Sequence, residues 1–127
     1  MIKQTIKYMD FNNEEREEDF YFNLNEAELA EMQLTTDGGM DEKIQKIIDA
    51  KDTKEIIALF KDLLLKSYGV KSADGKRFVK NQEIRDAFEF SAAYPVLFMQ
   101  LATDAEAASA FVNGILPKAN PYNKFIK

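Results

Sequence analysis

Six carboxylates crowd the first twenty residues: Asp10, Glu14, Glu15, Glu17, Glu18 and Asp19. Their chemistry would be that of a calcium loop, because hard cations take carboxylate oxygens at alternating positions. The register fails. With Asp10 at position one, Asn12 and Glu14 fit positions three and five, but Glu15 stands where glycine is required and Tyr21 where the bidentate glutamate belongs. The cluster is better read as the charged edge of a hairpin, which discourages unwanted strand pairing, or as a surface for a basic partner.

Other chemistry is scarcer still. The 127 residues hold no cysteine and no histidine, which removes thiol nucleophiles, imidazole bases and Cys/His zinc sites. No spacing singles out two of the 22 acids as a catalytic pair. Gly38-Gly39 lacks the following Lys-Ser or Lys-Thr of a phosphate loop and reads as a tight turn. Lys71, Lys76, Arg77, Lys80 and Arg85 form a basic zone diluted by four acids, which suits a solvated loop better than a nucleic-acid site. We expect no enzyme, no cofactor and no metal.

The net charge of −5 disfavours nucleic acid and anionic membrane and favours a protein partner. That charge is uneven. Residues 1–36 carry nine acids and three bases, net −6, and the other 91 residues sum to +1. The start Met1-Ile2-Lys3-Gln4 has no apolar leader, and no apolar run is long enough to span a bilayer, so neither export nor membrane insertion is expected.

The elements that carry these residues follow from periodicity. Ile2, Gln4, Ile6 and Tyr8 alternate with Lys3, Thr5 and Lys7; after the turn residues 10–13, Phe20, Phe22 and Leu24 alternate again. This is a β-hairpin over 2–24 with one aromatic face. Asn25 and Glu28 then have the spacing of a capping box for a helix reaching about Leu34, broken over 35–39. A helix over 40–50 and another over 54–68 follow, the latter capped by Asp52, with Phe60, Leu63 and Leu64 in a stripe that should centre the core.

Gly69 is placed to end that helix, and residues 72–76 form a polar loop. Phe78 and Val79 precede Asn81, which can cap a helix carrying Ile84, Ala87 and Phe88. Pro95 belongs in the first turn of a short helix, apolar nearly all round at Val96, Leu97, Phe98, Met99 and Leu101. Thr103 and Glu106 have capping-box spacing for a last helix, with Ala108, Phe111, Val112 and Ile115 on one stripe and Gly114 and Pro117 ending it. The fold class is therefore α+β, mainly α: a hairpin and five to six short helices (25–117) in one domain, 1–117. Residues 118–127 are expected to be a mobile tail. The alanines at 102, 105, 107, 108 and 110 would let another helix approach closely, within the chain or from a second subunit.

Taken in order, Ile2-Lys3-Gln4-Thr5-Ile6-Lys7-Tyr8-Met9-Asp10-Phe11-Asn12, Glu18-Asp19-Phe20-Tyr21-Phe22-Asn23-Leu24, Asn25-Glu26-Ala27-Glu28-Leu29, Asp74-Gly75-Lys76-Arg77-Phe78 and the stretch from Leu101-Ala102-Thr103-Asp104-Ala105 to Asn113-Gly114-Ile115 resemble a family of small tail-module proteins. These are the tail assembly chaperones of long-tailed phages of Gram-positive bacteria, and the resemblance spans residues 2–117. It implies a protein of the host cell cytoplasm that binds the tape-measure protein and keeps it soluble, with the tail-tube protein as a second partner and a homo-oligomeric state. In such proteins a longer frameshifted form is common.

A tape-measure protein presents long amphipathic helices whose apolar stripes must be covered. We expect Phe98, Leu101, Phe111 and Ile115 to supply the covering surface for the client or for a second subunit, by helix-in-groove packing. The acidic hairpin would keep the assembly soluble. Two alternatives stand beside this: a virion structural protein whose hairpin joins a neighbour's sheet, and a phage protein engaging a host factor.

Overall fold

Eight-residue strands β1 (Ile2–Met9) and β2 (Glu15–Phe22) form the antiparallel hairpin, in register from Ile2 opposite Phe22 to Met9 opposite Glu15. The computed structural model describes residues 1–35 and 53–117. Asp10 builds the hairpin turn. Its Oδ1 accepts the amides of Asn12 at 2.8 Å and Glu14 at 3.0 Å, while Asn13 takes the left-handed backbone conformation, φ 61°, that asparagine tolerates.

Helix α1 (Glu26–Thr35) starts on the reciprocal box read from the sequence. The Glu28 amide donates to Asn25 Oδ1 at 2.8 Å, and the Asn25 amide donates to Glu28 Oε1 at 3.0 Å. The helix expected over 40–50, the Asp52 cap and most of the break over 35–39 lie outside the described residues. Helix α2 (Thr53–Ser67) buries Phe60, Leu63 and Leu64 as expected, while Ile57 on the same helix is exposed. Its last residue, Ser67, is fully buried and holds two elements together. The Ser67 hydroxyl donates to the Leu64 carbonyl, and its own carbonyl accepts the Asn23 amide at 2.8 Å.

Beyond Ser67 the chain departs from the sequence expectation. Gly69 does not cap a helix. It lies in β3 (Tyr68–Lys71), which pairs with the end of β2 through Tyr21–Gly69 and Phe22–Tyr68, and β4 (Phe78–Val79) pairs with β3. The sheet order is β1-β2-β3-β4. Glycine is needed at 69 for space: a Cβ there would meet the Phe78 ring at 2.7 Å. Gly69→Ala should therefore destabilise the protein by about 1–2 kcal/mol through overpacking. Urea unfolding checks this, and an unchanged midpoint would show that the ring moves aside freely. Among the described residues the glycine that does take a positive φ, 75°, is Gly75 in the β3–β4 turn.

Helix α3 (Gln82–Glu89) begins at Asn81, whose Oδ1 accepts the Ile84 amide at 2.8 Å. Helix α4 (Ala93–Ala102) keeps Pro95 in its first turn, where the missing amide proton has no helical acceptor. It is less buried than its composition suggests: Leu97 and Leu101 are buried but Met99 is exposed. Helix α5 (Ala105–Ile115) is capped by Asp104 rather than by Thr103. Asp104 Oδ1 accepts the amides of Glu106 and Ala107, both at 3.1 Å, whereas the Thr103 hydroxyl donates back to the Met99 carbonyl at 2.7 Å and so belongs to the end of α4. Gly114 lies inside α5 and not past its end, and it is the close approach of the Ile2 side chain, which a Cβ there would meet, that calls for glycine. The helix stops at Leu116, held extended by the following Pro117.

The helical stripes converge on the aromatic face of the hairpin. Ile6, Phe22 and Leu24 are buried together with Phe60, Leu63, Leu64, Phe88, Leu97, Phe111, Val112 and Ile115. Phe22 lies at the centre of this cluster, with ring centroids of Phe111 at 5.2 Å and of Phe88 and Tyr68 at 5.6 Å. A backbone bond from the Leu24 amide to the Ile115 carbonyl, 2.9 Å, fixes the end of α5 to the end of β2. The α+β, mainly α, class is thus confirmed, with five helices among the described residues.

Candidate protein-binding groove

The acidic hairpin is organised by hydrogen bonds of its own. Arg16 binds Asp10 through Nε, the Thr5 hydroxyl donates to Asp19 at 2.6 Å, and the Tyr8 hydroxyl donates to Glu18. The Arg16 guanidinium, aided by the turn amides, holds the Asp10 carboxyl below its ordinary value, while the bond to Glu18 raises the Tyr8 phenol above its own. Because the folded Asp10 pKa is lowered, its contribution is fully present above the unfolded carboxylate pKa of about 3.9 and is lost as pH falls through the folded value. Asp10→Asn should flatten the acid limb of the stability profile below about pH 4. Thermal melts across that range check it, and an identical acid limb in the variant would count against the assignment.

Among the described residues no group of three or more acids is placed to hold a metal ion. The Lys7–Glu17 pair, 3.5 Å apart and exposed on both sides, adds little stability.

The four residues expected to bind protein fall into different environments. Ile115 is fully buried beneath the hairpin, and Phe98 is half-buried, its ring facing Tyr94 at 5.9 Å and Phe60 at 6.4 Å. Leu101 and Phe111 are largely buried too, but both line a groove of about 740 Å³ between β1 and the α4–α5 corner. Ile2, Lys3 and Gln4 form one side of this groove. Gln100, Thr103, Asp104, Ala107 and Ala110 form the other.

The helical stripe explains the division. Phe111 and Ile115 sit four residues apart on the face of α5 that meets the sheet, so a core stripe and a binding stripe look alike in sequence. Ala107 and Ala110 flank that face and stay partly open to solvent. The sequence did signal them, through the alanine-rich run, but nothing local signalled that β1 would supply the opposite wall. Small side chains here leave the depth that a bulky side chain would fill. The arrangement can receive an apolar ridge between a polar rim at Lys3 and Asp104.

A second, more polar hollow of about 510 Å³ lies at the hairpin, between Lys7, Tyr8, Met9 and Glu15, Arg16, Glu17. Apolar side chains are also exposed singly, Phe90 at 72% and Phe11 at 81%. None of the described helices is long and apolar enough to cross a membrane.

A family model described as phage tail assembly chaperone matches residues 1–120 of the chain. No curated protein matches it, and no solved structure does.

Proposed function

We propose, from the premise that the chain belongs to the phage tail assembly chaperone family, that it binds the tape-measure protein and keeps it soluble while the tail assembles. The family's role is that of a chaperone, which calls for binding and release rather than catalysis. The observation that supports the finer reading is the groove between β1 and the α4–α5 corner, floored by Leu101 and Phe111 and kept open by Ala107 and Ala110. An amphipathic client helix can lay its apolar ridge in such a groove and leave its polar face in water. On this reading the protein works in the host cytoplasm, where the client would otherwise aggregate through its exposed stripes. Phe98 and Ile115 then act from beneath, Phe98 by supporting the helix that carries Leu101 and Ile115 by seating α5 on the hairpin.

Co-expression tests the reading. The tape-measure protein should be recovered in the soluble fraction with the wild-type chain and lost to the pellet with Ala110→Arg, which places a long charged side chain across an exposed part of the groove. The variant should keep the wild-type circular dichroism and melting temperature. A client equally soluble with the variant would remove the groove from the mechanism, and a client no more soluble with the wild type than alone would remove the chaperone reading of this partner.

A further inference from the structure

Both sides of the hairpin end in open sheet edge. β1 is the terminal strand of the order β1-β2-β3-β4, so among the described residues no strand pairs with its outer side. Among the described residues β2 is covered by a strand on its far side only at Tyr21 and Phe22, where Gly69 and Tyr68 of β3 pair with it, and residues 15–20 have no strand there. Each edge offers backbone N–H and C=O groups that another strand can take up.

The two edges differ in charge. β1 carries Lys3 and Lys7 and no acid, whereas the open part of β2 carries Glu15, Glu17, Glu18 and Asp19 against the single base Arg16. All of these side chains are exposed, and Lys3 has no ion-pair partner among the described residues. Two copies that met β1 to β1, or β2 to β2, would oppose like charges, which is destabilising in cross-strand positions. A β1 edge meeting a β2 edge opposes unlike charges.

We infer that a second copy of this chain docks by strand addition, the outer edge of its β1 pairing antiparallel with residues 15–20 of β2, so that the sheet continues from one molecule to the next. β3 limits the register. Because it occupies the edge at Tyr21 and Phe22, the incoming strand must slip by two residues from the register within the hairpin. A slip of two preserves which side chains share a face. It sets Lys3 of the incoming copy opposite Asp19 and Lys7 opposite Glu15, with Thr5 opposite Glu17 between them. Ile2 then lies beside Phe20, just short of β3. The contact is head-to-tail, so it builds rings or open rows rather than a closed twofold dimer.

Because the sequence has no cysteine, single-cysteine variants give a clean test. Chains carrying Lys3→Cys are mixed with chains carrying Asp19→Cys and oxidised gently. The mixed disulfide should exceed the two like-with-like disulfides by about tenfold or more over the random ratio, as expected when cross-strand pairing holds the two positions together. Wild-type chain in sedimentation velocity should associate with rising concentration and dissociate as salt screens the paired edges. A random disulfide distribution, a predominance of like-with-like disulfides, or a wild type that stays monomeric at every concentration would each overturn the proposal. The wild-type measurement decides the matter even if a cysteine variant folds poorly. Neither experiment contains the client, so their failure would leave the groove reading to its own test.

Discussion

Phe22→Ala should cost about 3–5 kcal/mol, the range for removing a buried phenylalanine from a packed core. That is a large part of the roughly 5–15 kcal/mol by which a domain of this size is stable. The side chain is fully buried, and three rings from three other elements touch it: Tyr68 from β3, Phe88 from α3 and Phe111 from α5. The stacked Tyr68–Phe88 pair, 4.4 Å between centroids, is fixed by the sheet on one side and by α3 on the other, so the cavity cannot collapse cheaply. Phe22 also closes the β1–β2 ladder opposite Ile2 and pairs with Tyr68 across the β2–β3 boundary. Urea titration should give a much lower midpoint with an unchanged slope. As a control, Phe90→Ala removes an exposed ring and should stay within about 0.5 kcal/mol. A Phe22 variant losing less than about 1 kcal/mol would mean that the hairpin is not where the helices find their common core.

What the sequence disclosed was the local part of this arrangement. The hairpin appears as period-two alternation, α5 as the stripe Ala108, Phe111, Val112 and Ile115, and the starts of α1 and α3 as Asn25 and Asn81, whose side chains cap them. Each of these depends on residues within about four positions of one another. The second hairpin does not. A four-residue β3 and a two-residue β4 are too short to show a period, and their stability comes from β2, more than forty residues away in the chain. Gly69 therefore looked like a helix stop, although its real constraint is the Phe78 ring nine residues later. Thr103 and Asp104 are adjacent cap-forming residues, and only geometry separates the one that ends α4 from the one that begins α5. The groove was half legible for the same reason. Leu101, Phe111 and the alanines stand out along their helices, but the wall from Ile2 to Gln4 is brought to them by tertiary packing.

Glu28→Ala should be the next most damaging change, at about 2–3 kcal/mol, because this carboxylate serves two elements at once. It completes the capping box by accepting the Asn25 amide, a contribution of about 1 kcal/mol. It also receives the Lys80 ammonium at 2.9 and 2.7 Å, tying the start of α1 to the segment between β4 and α3. Lys80 reaches the Asn23 carbonyl at 2.6 Å as well and lies over the Phe78 ring, so its charge is fixed in a partly dry position. Removing one partner of a fully buried pair costs about 3–5 kcal/mol; the lower figure here reflects the Glu28 side chain, which is 30% exposed against 14% for Lys80. Asn25→Ala removes the cap alone and should cost only about 1 kcal/mol. Combining Glu28→Ala with Lys80→Ala should cost less than the two separately, with a coupling of about 1–2 kcal/mol. The pH dependence has a defined sign. Burial pulls the Lys80 pKa below its ordinary value, against the opposing pull of Glu28. Between the folded and unfolded pKa the unfolded chain binds more protons, so this group makes stability rise with pH across that window. Without Glu28 the folded pKa falls further and the window widens toward neutral pH. Strict additivity of the two substitutions, measured by urea unfolding, would show that the bridge contributes nothing beyond the cap.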